Sequence, residues 1–236
     1  MEQPKSFLKL LKIDTDMHRV IAVVGGGGKT SLIFRLTEEL VSLGKKVIVT
    51  TTTHMAYEKN RPFAKDGCPD MLTSQLAVYG YVVAAAYEEE KQKLCSLTEE
   101  KRKVLPAFCD VLLVEADGAH RRPLKVPEDW EPVIPSCAKL VIGVAGLDCL
   151  GTSIQETAHR PEQTACFLKK SKDDLVTEED VVKIAASARG LCKNVGEREY
   201  RVYLNKTDVL PSTEPAERIV RALEQKNIVA AFGRLL

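Results

Sequence analysis

The sequence lacks the features that mark a secreted or membrane-spanning chain. Its seven cysteines are odd in number and include no C-x-x-C pair, so they indicate neither a disulfide framework nor a zinc ribbon. No apolar run reaches the ~20 residues that a membrane span needs. Residues 1–16 contain no sustained apolar core followed by a small-residue cleavage site. We therefore expect a cytoplasmic protein with reduced thiols and no membrane partner.

An excess of charge of one sign is also missing. The 34 basic residues nearly equal the 33 acidic ones and leave a net charge of +1, so no global field recruits nucleic acid. The four histidines are scattered along the chain, and no cysteine and histidine pair has the spacing of a structural zinc site. Binding partners must therefore be inferred from local motifs.

The stretch RVIAVVGGGGKTS, residues 19–31, has the composition of a phosphate-binding loop. Its apolar run predicts a buried strand, and four consecutive glycines let backbone N–H groups approach an anion. Lys29 adds a positive charge, and Thr30 or Ser31 offers a hydroxyl to Mg²⁺. The strict pattern G-x-x-x-x-G-K-[ST] requires a glycine where this chain has Val23. The residues predicted to bind phosphate are Gly25, Gly26, Gly27, Gly28, Lys29, Thr30 and Ser31.

Two carboxylates follow a second apolar strand, predicted over residues 110–116 (DVLLVEA). A carboxylate at the tip of a strand beside a phosphate loop can hold Mg²⁺, usually through water. We assign Mg²⁺ to Thr30 and Asp117. Glu115 either supports the metal ligands from behind or orients water, so the predicted catalytic residues are Lys29, Asp117 and Glu115. The alternative is a polar strand exit, since Asp-Gly pairs commonly form turns.

The sequence leaves the role of three further polar stretches open. Residues 50–53 are four threonines at a predicted strand end, where they either meet a ligand or simply reflect β-propensity; His54 after them is equally open. Arg121, Arg122 and Lys125 either bind phosphate or an anionic substrate, or form a solvated basic loop. A helix is predicted around His159, Arg160 and Glu162, and the role of His159 stays open.

The stretch RVYLNKTD, residues 201–208, contains the pattern N-K-x-D after a predicted strand. The carboxylate of Asp208 can accept hydrogen bonds from N1–H and the exocyclic amino group of guanine, an arrangement that adenine cannot offer. Lys206 would lie along the base plane and Asn205 would brace the loops. We therefore predict guanine recognition by Asn205, Lys206 and Asp208, with GTP favoured over ATP.

The alternation of these strands with helical segments predicts the fold. Buried β-branched strands joined by helices form parallel sheets, so we expect a doubly wound, mainly parallel α/β sheet of the P-loop NTPase type. A helix opened by a capping box at Thr177 and Asp180, and another over residues 213–225, complete the pattern. The 236 residues suit one domain, 1–236, with an insertion around residues 55–105, of which residues 57–75 are polar and turn-rich.

Six phrases together resemble the selenium-dependent hydroxylase accessory proteins of the YqeC type: GGGGKTS, TTTTHM, VEADGAHRRPLK, VIGVAGLDCLG, HRPE and NKTD. The resemblance covers nearly the whole chain. It implies a P-loop nucleotide-binding protein that acts in the maturation of selenium-containing molybdenum hydroxylases, with the hydroxylase or its maturation factors as partner. Two departures distinguish this chain from the related nickel-enzyme GTPases: Val24 replaces a loop lysine, and a Cys-Pro-His metal motif is missing.

The sequence thus predicts a Mg²⁺-dependent GTP-binding protein that hydrolyses GTP slowly and assists maturation of a metalloenzyme. Two alternatives remain open: a nucleotide-binding adaptor without turnover, and an ATP-dependent kinase acting on a small acidic molecule. The sequence leaves a homodimer open as well.

Overall fold

The computed structural model describes residues 6–235. The helices in this range are α1 (Phe7–Leu10), α2 (Lys29–Ser42), α3 (Pro69–Tyr79), α4 (Glu99–Val104), α5 (Ile154–Thr157), α6 (Pro161–Leu168), α7 (Glu178–Ala186) and α8 (Glu214–Glu224). The strands are β1 (Val20–Gly25), β2 (Val47–Thr51), β3 (His54–Ala56), β4 (Phe63–Lys65), β5 (Tyr81–Glu88), β6 (Lys93–Cys95), β7 (Val111–Glu115), β8 (Leu124–Lys125), β9 (Leu140–Gly146), β10 (Ala158–His159), β11 (Glu199–Asn205) and β12 (Val229–Phe232).

Ten of these strands form one large sheet, in the order β12-β11-β9-β1-β7-β2-β5-β6-β3, with β4 paired to β5. The pairs from β12 to β5 are parallel, and so is the pair of β4 with β5. At the other end of the sheet, β6 lies between β5 and β3 and runs antiparallel to both. The prediction of a mainly parallel α/β sheet is therefore confirmed.

Helices cover both faces of the sheet. On β1, Ile21 and Val23 belong to the core that includes the buried face of α2, whereas Ala22 and Val24 belong to the core that includes α3. The same alternation continues on β11, where Tyr203 lies on the α2 side and the residues beside it pack with α7 and α8. This is the doubly wound arrangement that the sequence predicts, because strands buried on both faces need apolar residues at successive positions.

Local signals define several helix ends as predicted. The Thr177 hydroxyl accepts from the Asp180 amide, and the Asp180 carboxylate accepts from the Thr177 amide, which completes the capping box of α7. At the start of α4, the Thr98 hydroxyl accepts from the Lys101 amide, so Thr98 is the N-cap of that helix. Helix α8 also lies where the pattern predicts a helix, over residues 213–225.

Two local predictions were wrong or incomplete. His159 lies in β10, paired with Lys125 of β8, and not in a helix. Helix α6 begins only at Pro161, because Arg160 adopts φ 61° and breaks the helical path before it. The sequence also gave no indication of α3, which lies partly within a stretch interpreted as turns.

Residues 55–105 contain most of β3, all of β4, β5 and β6, and helices α3 and α4, and they extend the sheet beyond β2. That they form an insertion stays a prediction, as does the single-domain organisation of residues 1–236. Within the described range, no helix combines the length and the apolar character that crossing a bilayer requires. The expectation for residues 1–16 concerns in part residues 1–5, which lie outside the described residues.

Candidate functional site

The polar stretches that the sequence singles out converge at the carboxyl edge of the sheet. Strands β11, β9, β1, β7 and β2 are consecutive neighbours and all parallel, so their C-terminal ends lie along the same edge. The residues delivered there are Asn205 from β11, Gly25 from β1, Glu115 from β7 and Thr51 from β2. Asp148 follows β9 directly.

The glycine loop after β1 is packed so closely that side chains are excluded. Gly25 and Gly27 have φ values of 97° and 73°. A Cβ on Gly25 would lie 2.3 Å from the Val144 carbonyl oxygen, and one on Gly27 would lie 2.2 Å from the Gly146 nitrogen. Both positions therefore require glycine, since positive φ and close backbone contact act together.

The amides of this loop have different partners. Gly26 N–H donates to the Val144 carbonyl and Gly27 N–H to the Arg122 carbonyl, both at 2.9 Å. By contrast, the amides of residues 28–31, where α2 begins, have no acceptor within residues 6–235. These amides are the donors that the site can offer to an anion.

Lys29 and Asp117 form a buried ion pair beneath the loop. Lys29 Nζ lies 3.1 Å from Asp117 Oδ1 and donates to the Gly25 carbonyl at 2.6 Å. Asp117 Oδ2 accepts from the Gly25 amide at 3.0 Å. Only 5% of Lys29 and 1% of Asp117 is exposed, so both charges depend on these partners. The sequence predicts both residues at this site, and the fold brings them into contact.

Glu115 contacts Thr30, the other predicted magnesium residue. The Thr30 hydroxyl donates to Glu115 Oε2 at 2.7 Å. Burial raises the pKa of Glu115, although Lys29 and the Thr30 hydrogen bond act in the opposite direction. The site thus gathers a hydroxyl and two carboxylates, which is the oxygen chemistry that Mg²⁺ prefers. Ser31 is half-buried beside Thr30.

Lys125 continues the charged network away from the loop. It is fully buried, with Nζ 3.4 Å from Asp117 Oδ2 and 3.0 Å from Glu131 Oε2, and it also donates to the Gly118 carbonyl. The alternative of a solvated basic loop is therefore wrong for Lys125, whereas Arg121 and Arg122 are exposed.

Glu131 is the residue of this network that sequence reasoning missed. Its carboxylate also accepts from Arg160, at 2.7 Å from Nη1 and 3.4 Å from Nη2. Burial alone would raise the pKa of Glu131, but the hydrogen bonds from Arg160 and Lys125 outweigh it and lower the pKa to about 2. Neither spacing nor composition marks this glutamate in the stretch VPEDWEP.

Two histidines lie near the charged network of Lys125, Glu131 and Arg160. The rings of His120 and His159 stack with 4.7 Å between their centroids. Burial and the nearby charges of Arg160 and Lys125 lower the pKa of His159 to about 4, so this imidazole is neutral at physiological pH. Arg122 donates to the Glu156 carbonyl, which ties the exposed loop to α5.

The NKTD stretch lies on the other side of the glycine loop. Asn205 Nδ2 donates to the Gly27 carbonyl at 2.7 Å, and Lys206 Nζ lies 2.5 Å from Asp148 Oδ2. Asp208 is exposed on the short 3₁₀ turn that follows. Within residues 6–235, Asn205 Oδ1 and Asp148 Oδ1 are buried without a hydrogen-bond partner. Buried acceptors without a partner are uncommon in proteins, and a bound group is one of the ways in which they are satisfied.

The threonines after β2 have partners within the protein. Thr50 donates to the Ala84 carbonyl at 2.6 Å and Thr51 to the Glu115 carbonyl at 3.0 Å. Thr52 donates to the Val133 carbonyl at 2.9 Å, and the Thr53 amide donates to the Thr51 hydroxyl. These contacts give the stretch a structural role, because they join the end of β2 to β5, to β7 and to the loop that contains Val133.

Comparison with known proteins identifies the family. The family model described as YqeC protein matches residues 21–162, which contain the glycine loop, both carboxylates and the Lys125 network. The uncharacterized protein YqeC of Escherichia coli (strain K12) is 33% identical over 225 residues, covering 90% of this chain and 86% of its own length. With a model match over more than half of its length and this relative along nearly all of it, the chain belongs to the YqeC family.

Proposed function

We propose that this YqeC family protein is a P-loop protein that binds Mg²⁺ and GTP at the carboxyl edge of its sheet and hydrolyses GTP slowly. The observation that carries the proposal is the convergence on one glycine loop of a buried lysine, two carboxylates, a helix N-terminus and Asn205. No single motif would support nucleotide binding on its own, because a glycine-rich turn beside a lysine is common.

The phosphate assignment is supported by unpaired donors and by the chemistry around Lys29. The amides of residues 28–31 have no acceptor within residues 6–235 and belong to the N-terminus of a fourteen-residue helix. The Lys29 ammonium contacts oxygen atoms, those of the Gly25 carbonyl and the Asp117 carboxylate. A phosphate oxygen offers Lys29 the same kind of partner and would release Asp117.

The magnesium assignment is supported by the donor set. Thr30 and Asp117 would hold Mg²⁺, with the Glu115 carboxylate bonded to the Thr30 hydroxyl beside them. When bound, Mg²⁺ would neutralise charge on the phosphates. Asp117 can bind Mg²⁺ only when Lys29 leaves its carboxylate and contacts the phosphates instead. We therefore expect Asp117 to change partner from Lys29 to Mg²⁺ when the nucleotide binds.

The guanine assignment is supported by the arrangement of the NKTD stretch. Asn205 braces the glycine loop through Gly27, as the motif predicts, and Asp208 is exposed at the strand end. An exposed carboxylate can accept two hydrogen bonds from guanine, which adenine would leave unmade. Lys206 pairs with Asp148 and is held beside it.

The biological role follows from the resemblance of the six sequence phrases. We propose that the chain assists maturation of a selenium-dependent molybdenum hydroxylase, with the hydroxylase or its maturation factors as partner, in the cytoplasm. Slow hydrolysis is expected because no glutamine is placed by motif to orient water. In addition, Arg121 and Arg122 are exposed, in the loop whose Arg122 carbonyl accepts from Gly27, and they would have to be ordered before they could stabilise charge on the transferring phosphate. Docking of the partner would order these arginines and raise turnover.

Calorimetry with Mg²⁺-GTP and Mg²⁺-ATP tests nucleotide binding directly. Lys29→Ala should weaken GTP binding about tenfold to a hundredfold, since a hydrogen bond to a charged group contributes roughly 1.5–3 kcal/mol. Lys45→Ala is the matched control, because Lys45 pairs with Asp16 beyond the other end of α2. Unchanged GTP affinity in a folded Lys29→Ala variant would overturn the phosphate assignment, and a preference for ATP would overturn the guanine assignment.

Single-turnover assays separate the remaining functions. Wild type should hydrolyse GTP slowly with Mg²⁺, and Asp117→Ala should lose the magnesium-dependent turnover. The double variant Arg121→Ala/Arg122→Ala should bind GTP normally but respond less to purified hydroxylase from the same organism. Binding without any hydrolysis would indicate an adaptor, and transfer of phosphate from ATP to a small acidic molecule would indicate a kinase.

A further inference from the structure

A second cluster of chemically active side chains lies on the antiparallel end of the sheet, away from the glycine loop. His54 of β3 and Cys95 of β6 are directly opposite each other in the strand register. Cys95 is also opposite Ala86 of β5, and Glu88 lies two residues further along that strand. Residues two apart on a strand share a face, so His54, Glu88 and Cys95 lie on one face of three neighbouring strands.

The potential ligand atoms of these three residues are close together. A histidine nitrogen, the cysteine sulfur and a carboxylate oxygen lie within 4.8 Å of one another. Cys95 Sγ donates to Glu88 Oε2 at 3.3 Å, and His54 Nε2 lies 3.9 Å from that same oxygen. Around a tetrahedral zinc ion with bonds of about 2.0–2.3 Å, ligand atoms stand roughly 3.5 Å apart. Small rotamer adjustments would bring the three atoms to that separation.

We propose that His54, Glu88 and Cys95 bind a single divalent cation of the zinc class. Thiolate and imidazole ligands select borderline-soft ions such as Zn²⁺ over Mg²⁺ and Ca²⁺, which take oxygen ligands. Three protein ligands leave a fourth tetrahedral position for water or an incoming group. His54 is exposed and the other two residues are half-buried, so an ion can enter from solvent.

The surroundings of Glu88 favour this arrangement. Lys91 Nζ lies 2.7 Å from Glu88 Oε1, which leaves Oε2 directed at His54 and Cys95. An ammonium that pairs with one oxygen of a ligating carboxylate holds the other oxygen in place, as second-layer partners do in metal sites. The cluster does not depend on the proposed nucleotide site, since none of its residues belongs to that site.

Cobalt titration of the untagged, reduced, full-length chain tests the proposal, because Co²⁺ takes zinc sites and gives a visible thiolate-to-metal absorption. We expect one Co²⁺ per chain with this absorption and its loss when Zn²⁺ is added. Cys95→Ser should abolish the absorption, and both His54→Ala and Glu88→Gln should weaken Zn²⁺ binding about tenfold to a hundredfold in competition measurements. Cys166→Ser, at an exposed cysteine outside the cluster, is the matched control and should behave as wild type.

Two results would overturn the proposal. One is the absence of thiolate absorption at one Co²⁺ per chain in the wild type. The other is Zn²⁺ affinity that stays the same in folded His54→Ala and Glu88→Gln variants, since any remaining binding would then come from other residues. Circular dichroism of each variant establishes that it is folded, and Glu88→Gln preserves the size of the side chain.

Discussion

Replacing Glu131 by glutamine removes a carboxylate that bridges two buried or half-buried cations. Glu131 Oε2 lies 3.0 Å from Lys125 Nζ and 2.7 Å from Arg160 Nη1. Lys125 is fully buried, so it cannot recover this interaction from water. We therefore expect Glu131→Gln to fold with markedly lower stability.

The size of the effect follows from the pKa of Glu131. The folded protein lowers this pKa from the ordinary 4.5 to about 2, and a shift of about 2.5 units corresponds to roughly 3 kcal/mol. Because the folded pKa is the lower one, this stability is fully present above the ordinary pKa and is lost as the pH falls toward 2. Glu131→Gln should therefore reduce the free energy of unfolding by roughly 2–4 kcal/mol at neutral pH.

Urea denaturation followed by circular dichroism measures both the size and the pH dependence. The difference between wild type and Glu131→Gln should narrow to roughly half at about pH 3, where part of the wild-type contribution is already lost. Glu128→Gln is the control, since Glu128 contacts Arg160 only at 3.5 Å and does not touch Lys125; its cost should stay below about 1 kcal/mol. A cost for Glu131→Gln below about 0.5 kcal/mol, or one that does not change with pH, would refute the reasoning.

Three further predictions concern the nucleotide site. Asp208→Asn should lose GTP affinity and gain affinity for xanthosine triphosphate in competition binding, because the new amide can donate to its C2 carbonyl; without such a switch, NKTD is not a guanine reader. Thr30→Val should reduce the magnesium dependence of GTP binding in calorimetry, and Ser31→Ala should reduce it less, since of these two hydroxyls only that of Thr30 bonds to a carboxylate within residues 6–235; equal effects would contradict the assignment. Asn205→Ala should lower the free energy of unfolding by roughly 1–3 kcal/mol in urea denaturation, because the buried Gly27 carbonyl loses its donor; an unchanged midpoint would argue against the brace.

Much of the fold follows from signals that act over a few residues. The apolar runs of β1 and β7 predict buried strands, and the glycines between β1 and α2 predict a loop that only glycine can form. The capping box of Thr177 and Asp180 defines the start of α7 in the same local way. Because parallel strands end at one edge, these local predictions also place the glycine loop, Asp117 and Asn205 along the same edge of the sheet.

Other features depend on contacts between residues far apart in the chain, and these were decided by the tertiary structure. The sequence leaves open whether Lys125 binds an anion or belongs to a solvated basic loop. In the structure it is fully buried, because β8 pairs with β10 and Glu131 contacts its ammonium. The same pairing places His159 in a strand, although the sequence predicts a helix around it.

The cluster of His54, Glu88 and Cys95 has the same origin. Its members are separated by 34 and 7 positions, a spacing that matches no metal motif, and only the antiparallel order of β3, β6 and β5 brings them together. The sequence by itself therefore determined the buried strands β1 and β7, the capped start of α7 and the glycine loop, whose causes lie within a few residues of the backbone. Strand order decided which charged and metal-binding side chains meet, because such contacts depend on how distant segments pair across the sheet.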